Sequence, residues 1–459
     1  MINDTIAGVS TAVGNSGISI IRLSGPSAFE ITDSLFKGKK TVQEQKSHTL
    51  QYGKILSPET GEILDEVLLS KMAAPKTYTR EDVVELNCHG GYTITSTILS
   101  LLYKQGARPA EPGEFTKRAF LNGRIDLAQA EAVMDIIQAR TDKGSKVAVK
   151  QLEGSLSHRL DEIREKLITL LAQIEVNLDY PEYDAEEITL ARAEEETNEI
   201  INNLEALLSS FHFGKILREG MEVVIAGRPN VGKSALMNRL VRKNRSIVTD
   251  IPGTTRDIIE EYINIRGVPV KLVDTAGVRE TEDRVEQLGV ERSLKALTDA
   301  DYVVVLVDAS SPLQDEDKKV LVQVSAGDKP FIQVFNKMDL VKDEEDKKAL
   351  KEENPNALFL SVLEDKGVED LEERIFKFAT ENNQDLDNQI LITNTRHEHQ
   401  LKKAKSFLEA VIRAIHHDMT LDMVALDLKS ALEELGRITG HHADEDVVNA
   451  IFSRFCLGK

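Results

Sequence analysis

The run Gly227-Arg228-Pro229-Asn230-Val231-Gly232-Lys233-Ser234 constrains this chain more than any other stretch. It fits G-x-x-x-x-G-K-S, and its flanks are those the motif needs. An apolar, largely β-branched run from Val223 to Ala226 precedes it, and Ser234 to Val241 comes after it with helical spacing at Leu236 and Leu240. Strand, glycine loop and helix in that order aim backbone N–H groups at phosphates from a helix N-terminus. Asn230, Val231, Gly232 and Ala235 are expected around the phosphates. Lys233 is expected to reach the β- and γ-phosphates, and the Ser234 hydroxyl to ligate Mg²⁺.

One phosphate loop does not choose between nucleotides, so the rest of the set decides. Asp274-Thr275-Ala276-Gly277 follows the strand-like run Val270 to Val273, where an aspartate can hold Mg²⁺ through water and a glycine can sense the γ-phosphate. Asn336-Lys337-Met338-Asp339 follows Phe331 to Phe335. A carboxylate at Asp339 can accept both N1–H and N2–H₂ of guanine, a pair of donors adenine does not offer. Ser361-Val362-Leu363 fits the loop that supports the base. Four such elements, in order and each at a strand end, imply GTP or GDP. Between the first two lies Thr249-Asp250-Ile251-Pro252-Gly253-Thr254-Thr255-Arg256-Asp257, where Thr255 is the candidate to complete the Mg²⁺ shell. After Gly277 comes Val278, where small signalling GTPases place a water-orienting glutamine. Some other group must position the water and supply positive charge.

The remaining sequence reads as multidomain α/β plus α. Residues 1–118 read as an α/β unit, with a strand from Gly17 to Gly25, a helix from Ser27 through Phe36, strands at Glu62 to Lys71 and Asp82 to Leu86, and a helix from Thr93 to Lys104. Residues 119–217 read as helical, because Leu156, Leu160, Ile163, Leu167, Leu171, Ile174 and Leu178 recur at helical steps until Asp179-Tyr180-Pro181. A second helix spans roughly Leu190 to Ser210. The nucleotide domain covers 218–380, where Val303 to Val307 reads as a buried strand. Helices return in 381–459 and are expected to pack on the first helical part, which makes the nucleotide domain an insertion.

No apolar run approaches the ~20 residues of a membrane span, and no signal peptide is visible. Cys88 and Cys456 are too few for a disulfide framework and fit a reducing, cytoplasmic setting. The formal net charge of −20 argues against a broad nucleic-acid footprint, so a small basic patch or a basic partner must hold any RNA. A ribosome-assembly GTPase of Era type, the second reading, requires a basic RNA-binding module after the nucleotide domain. In this chain the segment after that domain is helical and not notably basic.

The phosphate loop, Asp250 to Asp257, Asp274 to Gly277, Pro112-Gly113-Glu114-Phe115 and the terminal Phe455-Cys456-Leu457-Gly458-Lys459 together resemble the MnmE (TrmE) family of tRNA-modification GTPases over essentially the whole chain. The resemblance implies an N-terminal domain that binds tetrahydrofolate and dimerises, a discontinuous helical domain, and an inserted Ras/Era-like GTPase domain. It implies a homodimer whose GTPase domains meet across K⁺, held by Asn230 with backbone oxygens of Thr249, Ile251 and Thr254. It gives Glu286 the role of positioning the attacking water. Folate, as a 5-formyl- or methylene-tetrahydrofolate, falls to Arg22, Glu85, Arg124 and Lys459, with Cys456 a thiol near it. The partners implied are tRNA and the flavoprotein MnmG, in a heterotetramer or larger complex, with no membrane.

Overall fold

Alternation of apolar and polar side chains builds the first sheet. The computed structural model describes residues 4–12, 14–179, 186–244, 260–274, 296–327, 329–381, 389–417, 419–442, 444–456 and 458. In the N-terminal region lie β1 (Ile6–Val9), β2 (Ser16–Ser24), β3 (Phe36–Gly38), β4 (Thr49–Leu56), β5 (Ile63–Met72), β6 (Val83–Gly90) and β7 (Arg108–Pro109). They form one sheet in the order β3-β4-β5-β6-β2-β1-β7, antiparallel except where β1 meets β7. Successive strand residues face opposite sides. Ile21, Leu23, Val67, Leu69, Val84 and Leu86 therefore enter the core beneath Ile98, Leu101 and Leu102 of the helix Tyr92–Lys104. The opposite face carries two cross-strand rows, Tyr52-Leu68-Asn87-Ile20 and Leu50-Ser70-Glu85-Arg22.

The helix after Ser27 is shorter than expected. It spans Ala28–Asp33, and Phe36 belongs to β3 instead. Phe36 is buried on a shelf made by two glycines of the β3–β4 pair; a Cβ at Gly53 would lie 2.4 Å from its ring. Pairing with β4 overrides the local helical preference.

Arg118, on the helix Glu114–Leu121, is fully buried. Its guanidinium donates to Asp4 Oδ1 at 2.7 Å, Glu114 Oε1 at 3.0 Å and Glu81 Oε2 at 3.2 Å. Burial works against charge on Asp4 and Glu114, but Arg108 and Arg118 outweigh it and hold both carboxyls below their ordinary values. Depressed carboxyl values stabilise the fold above the unfolded-state pKa and are lost as pH falls through the folded one, so this unit weakens in acid below about pH 4. Removing the cation takes a donor from all three carboxylates and empties a buried site, leaving Arg108 to pair with Asp4 and Glu114 alone. Arg118→Ala is expected to cost about 3–5 kcal/mol, read from the urea midpoint of this unit's unfolding.

The nucleotide region forms a second sheet from β8 (Met221–Ala226), β9 (Glu260–Ile265), β10 (Val268–Asp274), β11 (Tyr302–Asp308), β12 (Phe331–Asn336) and β13 (Leu358–Phe359). The order is β13-β12-β11-β8-β10-β9, parallel throughout except for the edge strand β9. Every residue of β11 is buried, as a parallel strand covered on both faces requires. The carboxyl ends of β8, β10, β11, β12 and β13 lie along one edge of the sheet, where ligands bind in open α/β folds.

The long helix forms over Ser155–Asp179. Leu156, Leu160, Ile163, Leu167 and Ile174 are buried as expected. Leu170 replaces Leu171 in the buried stripe and Leu178 is exposed, because 3.6 residues per turn carries the face around over this length. The helix Glu186–Ser209 packs on Thr395–His416, so this part of the C-terminal region does meet the first helical part. The last segment meets that part as well, and also reaches the N-terminal region. Val448, Phe452 and Phe455 share a core with Leu127, Ala130 and Met134, and the helix Glu445–Phe452 contacts Glu114–Leu121. Tyr180, Pro181 and residues 382–388 lie outside the described residues.

Candidate functional site

The phosphate loop leaves β8 and enters the helix Lys233–Asn244 as its sequence requires. Asn230 adopts φ 66° and Gly232 φ 104°, both left-handed. Gly232 is obligatory for space as well, since a Cβ there would sit 2.4 Å from Asn336 Nδ2. Lys233 is buried, and its ammonium donates to the carbonyls of Gly227 at 2.6 Å and Arg228 at 3.0 Å. The loop thus closes around its own cation. Asn230, Ser234 and Ala235 are exposed, while Val231 is buried.

The base-selecting turn is tied to the same loop. Asn336, at the end of β12, donates Nδ2 to the Val231 carbonyl at 2.8 Å and accepts from the Val362 amide at 3.2 Å. One buried amide side chain therefore links the phosphate loop, the Asn336-Lys337-Met338-Asp339 turn and the Ser361 loop. The Ser361 hydroxyl donates to Asp339 Oδ1 at 2.5 Å. Lys337, at φ 65°, donates to Asp308 Oδ2 at 2.7 Å. Asp308 pairs with Asn336 across the β11–β12 register and accepts from Ser310 at 2.6 Å. Burial opposes its charge, yet Lys337 and Ser310 more than compensate and hold its carboxyl below the ordinary range. Asp308 is a structural member of the site that carries no motif; its position just after the Val303–Val307 run is the signal that could have found it. Asp274 ends β10 in register with Ile225. Thr249, Asp250, Ile251, Pro252, Gly253, Thr254, Thr255, Thr275, Ala276, Gly277, Val278 and Glu286 lie outside the described residues.

A second group assembles on the N-terminal sheet. Arg22 and Glu85 are direct partners across β2 and β6, joined at 2.9 Å and 2.8 Å. The Arg22 guanidinium lies 5.6 Å from the Phe115 ring centroid and 5.9 Å from that of Tyr78. Arg124 stacks on the same Tyr78 ring at 4.7 Å and donates to the Tyr78 carbonyl at 3.2 Å. Two of the four residues expected at the folate, Arg22 and Arg124, therefore approach Tyr78, a residue that no sequence motif marks, and a third, Glu85, is joined to Arg22. The fourth, Lys459, lies outside the described residues, but the chain just before it is pinned here. The Gly113 amide donates to the Cys456 carbonyl at 3.3 Å, and the Ser10 hydroxyl donates to the Gly458 carbonyl at 3.0 Å. Gly113, at φ 68°, has no room for a Cβ against Phe452 and Phe455. The two motifs at Pro112–Phe115 and Phe455–Gly458 are thus in contact. Cys456 is exposed. A planar donor–acceptor pair flanked by aromatic rings suits the edge of a flat heterocycle.

A phosphate loop, an Asn-Lys-x-Asp turn bonded to it and a serine bracing that aspartate define a GTPase of the Ras/Era-like class. The descriptions "GTP-binding protein TrmE N-terminus" and "MnmE helical domain" match residues 5–124 and 127–456. The chain belongs to the MnmE family of tRNA modification GTPases. It is 51% identical over 461 residues to the tRNA modification GTPase MnmE of Acetivibrio thermocellus, covering 99% of both chains. Against the Lacticaseibacillus paracasei protein of the same name it is 48% identical, covering 99% of this chain and 98% of that one. Among solved structures, the G domain of T. maritima FeoB matches at 27% identity, covering 35% of this chain and 98% of that one, with a TM-score of 0.27. Era of Aquifex aeolicus matches at 25% identity, covering 40% and 66%, with a TM-score of 0.29. Among the described residues, no helix is long and apolar enough to cross a membrane.

Proposed function

We propose that the chain is a K⁺-dependent GTPase that, with a flavoprotein of MnmG type, adds an aminomethyl or carboxymethylaminomethyl group to C5 of the wobble uridine of certain tRNAs. The one-carbon unit comes from a tetrahydrofolate. The observation that carries the reading is the presence, in one chain, of a guanine-selecting phosphate site and a separate arginine–glutamate–aromatic group on the N-terminal sheet. The curated relatives matched over their full length bear the name of tRNA modification GTPases.

In this reading backbone N–H groups from Asn230 to Ala235 hold the phosphates. The Lys233 ammonium exchanges its loop carbonyls for β- and γ-phosphate oxygens, which lets the loop open without stranding a buried charge. Ser234 and Thr255 hold Mg²⁺; Asn230, Thr249, Ile251 and Thr254 hold K⁺; Glu286 orients the attacking water. The exposed Asn230 side chain and Ser234 hydroxyl at the helix start are suitable oxygen donors for these cations. The cations neutralise charge that develops between the β- and γ-phosphates. Arg22, Glu85, Arg124 and Lys459 hold the folate, with the Cys456 thiol beside it. The four segments 1–118, 119–217, 218–380 and 381–459 serve as folate, helical, GTPase and returning helical parts.

The open face of the N-terminal sheet supports a homodimer. Leu50, Tyr52 and Leu68 are exposed there, on the same face as Arg22 and Glu85, and contiguous exposed apolar surface of this kind marks an interaction site. The protein is read as cytoplasmic.

The test is transfer of a radiolabelled one-carbon unit from methylene-tetrahydrofolate to tRNA in a purified mixture with the flavoprotein, GTP, K⁺ and ammonium or glycine as the amine donor. Label is expected in the wobble uridine, and Arg22→Ala is expected to abolish most of it without changing GTP affinity. Label that never enters tRNA contradicts the folate assignment.

A further inference from the structure

A cleft of about 420 Å³ opens beside the Tyr78 ring. His48, Lys76, Thr77, Tyr78, Arg80 and Arg124 are among its lining residues, and no aspartate or glutamate lines it among the described residues. Three Lys or Arg side chains with no carboxylate between them are notable in a chain whose formal net charge is −20. The two guanidiniums are pre-positioned. Arg80, at φ 59°, donates to the Asn122 carbonyl at 3.0 Å, and Arg124 donates to the Tyr78 carbonyl at 3.2 Å. Two backbone-anchored forks and a lysine in one concavity suit a ligand with several carboxylates spaced along a flexible chain.

The cleft continues the proposed folate site. Arg22 and Arg124 approach the same Tyr78 ring, at 5.9 Å and 4.7 Å from its centroid, so Tyr78 stands between the Arg22–Glu85 pair and the basic cleft. We infer that the cleft takes the γ-linked oligoglutamate tail of a folate polyglutamate, whose heterocycle is held at Arg22 and Glu85. This rests on the folate reading above. The net negative charge disfavours a long polyanion arriving from solution, whereas a tail already tethered at Tyr78 meets the cleft at high effective concentration. That difference favours the folate tail over an RNA backbone.

Full-length protein titrated with mono- and pentaglutamyl 5-formyltetrahydrofolate tests the inference. The pentaglutamyl form is expected to bind about tenfold tighter at low salt, with the gap shrinking as salt rises. The Lys76→Glu and Arg80→Gln variants are expected to remove most of that gap while monoglutamate still binds, and their circular dichroism should match the parent. Equal affinities for the two forms would overturn the tail site and leave the folate reading standing. No binding of the monoglutamate would overturn the folate reading and the tail site with it. A length effect that survives Lys76→Glu puts the tail elsewhere and equally defeats the inference. So does a single-stranded oligonucleotide that outcompetes the pentaglutamate and loses its affinity in Lys76→Glu, which would make the cleft a nucleic-acid site.

Discussion

Asp339→Asn is expected to turn a guanine-nucleotide site into one for xanthine nucleotides, with a loss of GDP affinity of roughly a thousandfold or more. The hydrogen-bonding capacity of the side chain sets this outcome. An ionised aspartate only accepts, and its two oxygens offer about four lone-pair positions. The Ser361 hydroxyl uses one of them at 2.5 Å and fixes the carboxylate's orientation. The remaining positions suit N1–H and N2–H₂ of guanine. An asparagine presents an NH₂ group instead, which faces guanine's amino group donor to donor but pairs with the 2-oxo group of xanthine. The turn is rigid, because Asn336 bonds both Val231 and Val362 and Lys337 is held by Asp308, so relaxation will not rescue the mismatch. Dissociation constants for fluorescent GDP and XDP check it. An unchanged preference would mean that the base is read elsewhere.

Exchange of Na⁺ for K⁺ should raise GTP turnover by roughly tenfold to a hundredfold, and Asn230→Ala should erase the difference. Electrostatic stabilisation at the transferring phosphate is worth most when the charge is already in place, and the family resemblance assigns that charge to K⁺. Asn230 is suited to the role by its position. It is exposed, at a left-handed φ of 66°, between the two glycines of the loop, so its side chain is not consumed by the fold. Initial rates in matched chloride salts decide the point. Equal rates in the two salts would remove the cation from the account and return the question of what replaces an arginine finger.

The GTPase elements are legible in the sequence because each is a short contiguous string at a strand end, and strand ends converge on one edge of a parallel sheet. Val303 to Val307 is legible for a simpler reason: a strand buried on both faces is uniformly apolar. The second group is not readable from spacing. Arg22 and Glu85 are far apart in sequence and meet only through the β2–β6 register, and only the family resemblance brings them together without it. Tyr78 and Asp308 carry no motif at all; their importance is a matter of what surrounds them. Arg118 looks like an ordinary surface cation in Glu114-Phe115-Thr116-Lys117-Arg118, yet it is fully buried because Asp4, Glu81 and Glu114 converge on it. Local spacing overextends the helix from Ser27 to Phe36, since it cannot register a strand partner beyond Thr49. Helical character places the C-terminal helices on the first helical part, where Phe452 and Phe455 do pack, but it does not show that the same two rings also close over Gly113.

The central claim is that nucleotide at the Lys233 loop drives modification of tRNA. Mass spectrometry of tRNA nucleosides from a strain whose single copy carries Lys233→Ala tests it most directly. The account predicts that the 5-substituted wobble uridine disappears, as in a deletion strain, while unrelated modified nucleosides stay at their usual levels. A nucleoside profile indistinguishable from that of the parent strain would contradict it.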